Sequence, residues 1–170
     1  EARCVGSARS AAAAVALAQG ARWIASTDAD TVVPPDWLVR QLSCGADAFC
    51  GVVEVEDWLD YPDGVRTALA AREAVQDGHR HIHGANLGIS AAAYLAAGGF
   101  TALSTGEDVA LVEALAGNGA AIAWLARPAV STSARRTARA PRGFSAFLRA
   151  LEREVAGAGA ALLPGRLVPE

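Results

Sequence analysis

Arg22-Trp23-Ile24-Ala25-Ser26-Thr27 runs directly into Asp28-Ala29-Asp30, so that a short, partly apolar stretch ends in two carboxylates. Such a stretch is typical of a buried strand followed by a polar loop. Helical patterns flank it, at residues 7–19 and 34–42. In open α/β sheets, ligands gather beyond the carboxyl ends of the strands. The sequence therefore predicts a site at the loop that carries the two acids.

The remaining chain continues this alternation of extended and helical patterns. Strands are predicted at residues 48–55, 81–89 and 120–125, and helices at residues 65–75, 91–97, 107–116 and 143–156. This order predicts an α/β sandwich in which helices cover both faces of a mostly parallel mixed sheet. We expect one domain at residues 1–156 and a C-terminal tail or linker at residues 157–170.

The composition is that of a soluble globular protein. Hydrophobic residues make up 52% of the chain and charged residues 19%, and no apolar run approaches the roughly 20 residues of a membrane helix. Cys4, Cys44 and Cys50 form an odd set without metal-ligand spacing, which favours reduced thiols in a cytoplasmic protein. Because the sequence starts at Glu1 and contains no methionine, we also expect residues upstream of it.

Asp28 and Asp30 are spaced so that both carboxylates can approach one hard cation. A sugar nucleotide would supply further oxygens, and the cation would offset the charge on a departing nucleoside diphosphate. Two solvated loop acids would show the same spacing, and Asp-x-Asp alone is a weak signal. Its position after a predicted buried strand favours the metal site.

A second acid pair, Glu107 and Asp108, opens a predicted amphipathic helix. Thr105 and Asp108 fit a helix-capping pattern, and capping is the interpretation that this segment favours when taken alone. In the alternative, one acid is the general base that removes the proton from a sugar hydroxyl as this attacks the anomeric carbon.

Two patterns near residue 80 carry weaker signals. His79, His81 and His83 would project to one side of a strand, but no acid or cysteine ligand is nearby, so an exposed strand edge is favoured over a metal site. Gly84-Ala85-Asn86 combines conformational freedom with an amide that can bond a hydroxyl-rich ligand.

A basic stretch follows the last predicted strand. Arg135, Arg136, Arg139 and Arg142 have the forked guanidinium groups that clamp phosphates. A solvated loop, or weak attraction to anionic lipid reinforced by the apolar stripe of the next helix, explains these arginines equally well.

Taken together, six segments resemble family 2 glycosyltransferases in their order and spacing. They are Gly6-Ser7-Ala8-Arg9, Trp23-Ile24 with Asp28-Ala29-Asp30-Thr31, Pro35-x-Trp37-Leu38, Gly84-Ala85-Asn86-Leu87-Gly88, Gly98-Gly99-Phe100 and Gly106-Glu107-Asp108. The resemblance covers about residues 3 to 148. It implies a Rossmann-like GT-A fold lacking its first strands, a nucleoside-diphosphate-sugar donor, a Mg²⁺ or Mn²⁺ ion, and transfer to an acceptor hydroxyl with inversion.

The resemblance also implies roles for individual residues. Asp108 would be the catalytic base with Glu107 beside it, and Gly84 and Asn86 would form the acceptor side. Asp28 and Asp30 would hold the metal. The donor and diphosphate would be bound by Arg9, Asp28 and Asp30. The basic stretch adds Arg135, Arg136 and Arg139 as candidate diphosphate ligands.

The expected partners are a nucleotide sugar and a carbohydrate or lipid-linked acceptor, without nucleic acid, and peripheral membrane contact is one alternative use of the basic stretch. The motif of processive synthases is absent, which favours transfer of single sugars. Because the family's first strands hold the nucleoside base and would precede Glu1, it stays open whether these residues act alone. A sugar-nucleotide nucleotidyltransferase, or a non-catalytic module that binds carbohydrate or anionic lipid, are the competing hypotheses.

Overall fold

The fold is α/β. The computed structural model describes residues 4–58, 60–72, 75–137 and 143–161. Within these ranges the helices are α1 (Val5–Ala18), α2 (Trp37–Leu42), α3 (Asp63–Arg72), α4 (Ala91–Ala96), α5 (Glu107–Gly117) and α6 (Phe144–Ala161). The strands are β1 (Trp23–Ser26), β2 (Thr31–Val32), β3 (Ala48–Glu54), β4 (Leu87–Ser90) and β5 (Ile122–Thr132), and a single 3₁₀ turn spans Gly84–Asn86.

The five strands found in the described ranges form one mixed sheet in the order β1-β4-β3-β5-β2. β3 and β5 are parallel, whereas β4 is antiparallel to both β1 and β3, and β2 is antiparallel to β5. The prediction of a mixed sheet is confirmed. The prediction that it is mostly parallel is wrong, because β3 and β5 form the one parallel pair among the described strands. The cause is β4, which starts beside the end of β1 and runs back between β1 and β3, with Leu87 opposite Ser26.

The chain divides into two compact units. The first consists of Glu1–Asp57 and Val75–Ser133, and the second of Trp58–Ala74 and Ala134–Glu170. In the second unit, α3 packs against α6. The predicted division between a domain and a tail at residue 156 stays a prediction, although α6 continues beyond that point.

The core of the first unit is built by the sheet together with α1, α4 and α5. Its largest buried side chains include Leu87, Ile89, Leu111 and Leu115. Every residue from Ala48 to Val53 is buried, so β3 is covered on both faces, as is usual for a strand inside an α/β sheet.

The predicted strand at residues 81–89 is wrong over its first half. Only Leu87–Ser90 is a strand, and Gly84–Asn86 forms the 3₁₀ turn instead. The turn is closed by the Asn86 N–H, which donates to the His83 carbonyl oxygen at 2.9 Å, while the Gly84 N–H donates to the carboxylate of Asp108 at 2.7 Å. These two N–H groups are therefore not available for pairing with a neighbouring strand.

Cys4, Cys44 and Cys50 are free cysteines. Burial raises the pKa of Cys50 to about 12, so this thiol stays protonated and serves as an apolar side chain. Among the residues that the structure describes, no helix is both long enough and apolar enough to cross a membrane.

Candidate functional site

The end of β1 and the start of β4 meet at one edge of the sheet, where the candidate site lies. Ser26, the last residue of β1, is buried, and its hydroxyl donates to the carbonyl oxygen of Gly84 at 2.8 Å. This bond joins the loop of Asp28 and Asp30 to the turn at Gly84. Sequence reasoning missed Ser26, because a serine at a strand end carries no signal of a partner 58 residues away.

Asp28 and Asp30 lie in a tight turn between β1 and β2. The Thr31 N–H donates to the Asp28 carbonyl oxygen at 3.1 Å, which closes the turn. The Thr31 hydroxyl lies 3.1 Å from the hydroxyl of Thr132 on β5, which ties the far end of the turn to the sheet. The Asp28 side chain is 43% exposed, so its carboxylate is accessible to a ligand.

Arg9 of α1 connects this turn to the second acid pair. Its Nη2 donates to Asp28 Oδ1, and its Nη1 donates to Glu107 Oε1 at 2.8 Å. The side chains of Arg9 and Glu107 are only 12% and 8% exposed. The Arg9 guanidinium also lies 5.7 Å from the centre of the Phe100 ring. Removing one partner of such a buried pair typically costs about 3–5 kcal/mol.

Asp108 faces the Gly84 turn. Its Oδ2 accepts the Gly84 N–H at 2.7 Å, and its Oδ1 accepts the Val109 N–H at 2.9 Å. The capping interpretation is wrong for Thr105: α5 begins after Gly106, whose φ is 80°, and the Thr105 hydroxyl donates to the Ser104 carbonyl at 2.7 Å. A left-handed residue at the cap leaves Thr105 outside the reach of the first helical turn.

Two glycines allow these groups to approach one another. A methyl group at Gly84 would overlap Nη1 of Arg9, and one at Gly6 would overlap the carbonyl oxygen of Thr101. Gly6 also lies against Glu107, since its added methyl would be 3.1 Å from the Glu107 Cβ. At Gly6 the added methyl would meet backbone, so glycine is required there, whereas at Gly84 it would meet the side chain of Arg9, which would have to move.

Asn86 is fully buried, and its side chain is bonded within the protein. Its Nδ2 donates to the carbonyl oxygens of Val52 and Pro128 at 2.9 and 2.8 Å, and its Oδ1 accepts from Trp37 Nε1 at 2.8 Å. The amide thus joins β3, β5 and α2 beneath the Gly84 turn. This geometry gives no support to the predicted contact of Asn86 with an acceptor, whereas Gly84 does lie at the site.

Asn86→Ala is expected to reduce the free energy of unfolding by about 3 kcal/mol or more, because it leaves two buried carbonyls and one indole N–H without their partner. Urea unfolding measures the loss. Asn118→Ala is the matched control, since the Asn118 amide makes one exposed bond to the Ala96 carbonyl, and about 0.5 kcal/mol or less is expected there. Equal losses for the two variants would contradict the supporting role of Asn86.

The three histidines form a stacked row, although they do not lie on a strand. Ring centres are 5.5 Å apart for His79 and His81, and 6.0 Å apart for His81 and His83. Burial lowers the pKa of His83 to about 4, and His81 adds to the effect. Among the described residues, no group of three or more histidine, cysteine or acidic side chains could hold a metal ion.

Because the pKa of His83 is lower in the folded protein than its ordinary value of 6.5, the unfolded chain binds the proton more readily. Stability is expected to fall as the pH drops below 6.5 and to level off below pH 4, by up to about 3 kcal/mol from this residue. Urea unfolding between pH 8 and pH 4 should show a smaller fall for His83→Gln than for the wild type. Parallel curves for the two proteins would contradict this role.

Arg136, predicted to bind diphosphate, lies in the second unit and is bonded there. Its Nη1 and Nη2 donate to the Glu152 carboxylate at 2.7 and 2.8 Å, and its Nε donates to Asp60 Oδ1 at 2.8 Å. Its guanidinium lies 4.2 Å from the centre of the Tyr61 ring. Hydrogen bonding to Arg136 lowers the pKa of both Glu152 and Asp60. Because the guanidinium is bonded to both carboxylates, a phosphate would have to displace one of them.

Arg135 is half-buried in the same unit. Arg139 and Arg142 lie outside the residues that the structure describes. A diphosphate-binding role for Arg135, Arg136 and Arg139 therefore stays a prediction, and the site defined by contacts consists of residues of the first unit.

Asp28 and Asp30 lie in one short turn, and Asp28 is bonded to Arg9 through Oδ1. Carboxylate oxygens are ligands of the kind that hard divalent cations take. Hard cations commonly complete their coordination with substrate phosphates and water.

Comparisons of the chain with models of known protein families, with curated proteins and with solved structures found no match. The functional inference therefore depends on the arrangement of these residues.

Proposed function

We propose that the protein is an inverting glycosyltransferase of the GT-A type, which moves a sugar from a nucleoside-diphosphate-sugar donor to an acceptor hydroxyl with the help of Mg²⁺ or Mn²⁺. One observation supports this most strongly: Arg9 bonds both Asp28 and Glu107, while Asp108 bonds the adjacent Gly84 turn. Asp28 and the pair Glu107 and Asp108, from distant parts of the chain, thus adjoin one cluster, as a donor end and an acceptor end require.

On the donor side, Asp28 and Asp30 would hold the divalent cation. When bound, the cation supplies charge stabilisation for the departing nucleoside diphosphate. The exposed position of Asp28 supports this role, since a ligand reaches its carboxylate from solvent. The short turn and the pairing of β2 limit the positions that the two carboxylates can take.

On the acceptor side, Asp108 takes the proton of the acceptor hydroxyl. The acceptor oxygen then forms its bond to the anomeric carbon from the face opposite the diphosphate, and the electron pair of the breaking bond leaves with the diphosphate. The Gly84 N–H fixes one carboxylate oxygen of Asp108, so that the base has a defined orientation. Attack from the opposite face gives inversion.

The proposal is tested by incubating the full-length protein with UDP-, GDP- and TDP-sugars, Mn²⁺ and a panel of carbohydrate and lipid-linked acceptors. Release of a nucleoside diphosphate together with glycosylated acceptor is expected. Pyrophosphate release from a nucleoside triphosphate and a sugar phosphate would instead identify a nucleotidyltransferase. Binding of carbohydrate or anionic lipid without any turnover would identify a non-catalytic module. A cytoplasmic location is part of the same proposal, and peripheral membrane contact is an alternative use of the basic stretch.

A further inference from the structure

Arg9 occupies the centre of the site rather than its solvent side. Its guanidinium is enclosed by four groups: the Asp28 carboxylate, the Glu107 carboxylate, the Phe100 ring and the backbone of Gly84. Only 12% of the side chain is exposed. Two of its five N–H donors are bonded to carboxylates, and the small exposed area leaves little room for direct contact with the donor.

We infer that Arg9 is a positioning residue, which fixes the Asp28 turn relative to the second acid pair, and that Glu107 is its counter-ion and not a second base. This inference rests on the proposed function, and it replaces the donor-binding role predicted for Arg9 and the catalytic role predicted for Glu107. Proton transfer is then assigned to Asp108 alone.

Burial separates the roles of the two neighbouring acids. The Glu107 side chain is 8% exposed, and one of its oxygens is bonded to Arg9, so that its charge is neutralised inside the protein. Asp108 is only half-buried and is bonded to two backbone N–H groups, which orient it without neutralising it. An acceptor hydroxyl can therefore approach Asp108 more readily than Glu107.

Gly84 provides the means to displace Arg9 without altering either carboxylate. A Cβ at position 84 would lie 2.6 Å from Nη2 and would overlap Nη1 of Arg9, so the guanidinium lies directly on the Gly84 backbone. Gly84 is not in the left-handed region of φ, so alanine imposes no backbone strain there. The three atoms nearest to such a Cβ all belong to Arg9, so the added methyl acts first on that side chain.

The experiment is a double-mutant cycle of Gly84→Ala and Arg9→Met in the full-length protein. It measures kcat and KM with a UDP- or GDP-sugar, and the thermal unfolding midpoint. Gly84→Ala alone is expected to lower kcat about 10- to 100-fold, because small displacements of reacting groups have effects of this size. The donor KM should change little. In the Arg9→Met background, Gly84→Ala should produce little further loss of kcat or of the midpoint.

The control is Gly117→Ala, because a methyl group there meets no atom within 4 Å. It should leave kcat unchanged and should not lower the midpoint, since alanine is favoured over glycine in a helix. Arg9→Lys should recover part of the activity lost in Arg9→Met. Losses of kcat that multiply across the cycle would overturn the inference while leaving the proposed function intact. If the wild type shows no detectable transfer, the proposed function fails. The unfolding midpoints of the same four proteins then still test the role of Arg9, because additive losses of the midpoint would refute the claim that Arg9 fixes this cluster.

Glu107→Gln separates a counter-ion from a base. Because glutamine can still accept the Arg9 N–H and the Asp28 carboxylate still pairs with the guanidinium, we expect kcat to fall about 10-fold or less, as a residue outside the proton transfer would give. A loss as large as that of Asp108→Asn would assign the proton transfer to Glu107 and overturn the division of roles. The donor KM serves as the check that the site remains assembled.

Discussion

Asp108→Asn is expected to lower the turnover number of sugar transfer about 10³-fold, within the range that general-base catalysis commonly contributes. The asparagine oxygen can still accept the Gly84 N–H, so the turn keeps its position. An amide cannot take the proton of the acceptor hydroxyl, however, and the alcohol stays a poor nucleophile. Binding of the nucleotide-sugar donor should be unchanged, since Asp108 lies on the acceptor side of the site.

The measurement combines steady-state transfer with equilibrium binding of the donor, so that loss of chemistry is separated from loss of the site. Glu113→Gln is the matched control, because Glu113 is an exposed acid on the same helix. Its turnover should lie within about twofold of the wild type, as is usual for surface substitutions. Unchanged turnover in Asp108→Asn would remove this residue as the base.

Much of the first unit could be predicted because its signals are local. The alanine-rich run of α1 ends at Gly20, and the apolar stretch of β1 ends at the acids, so that both elements and the Asp28 turn were found within one or two residues. The strand β5 was predicted to stop at Leu125, but it continues to Thr132. Pro128 is tolerated because it falls where the register with β3 shifts and no ladder bond is needed.

The contacts that assemble the site could not be predicted, because their partners are remote in the sequence. β2 has only two residues and exists through its pairing with Thr132 and Ser131. The inward direction of Asn86 depends on two carbonyls on other strands, and no local pattern distinguishes it from an exposed amide. The sequence likewise gives no indication of the bonds of Arg9 to Asp28 and Glu107, because the same guanidinium can bind a phosphate or a carboxylate.

Asp28→Asn combined with Asp30→Asn is the second variant for which we expect a large effect, a loss of about 10²- to 10³-fold in turnover. A cation that polarises a departing group contributes several kcal/mol to the transition state, and each 1.4 kcal/mol corresponds to about a tenfold change in rate. Asp36→Asn is the control. The Asp36 side chain is 50% exposed and is also paired with an arginine, Arg40, but it lies at the start of α2, outside the site.

Titration of Mn²⁺ into the full-length protein with saturating UDP or GDP examines the donor site without requiring an acceptor. We predict that the wild type and Asp36→Asn bind the ion together with the diphosphate, and that the Asp28→Asn, Asp30→Asn double variant binds it at least about 100-fold more weakly, as expected when both charged ligands of a hard cation become neutral. Equal Mn²⁺ affinity in all three proteins would contradict the assignment of a cation and a leaving diphosphate to the end of β1.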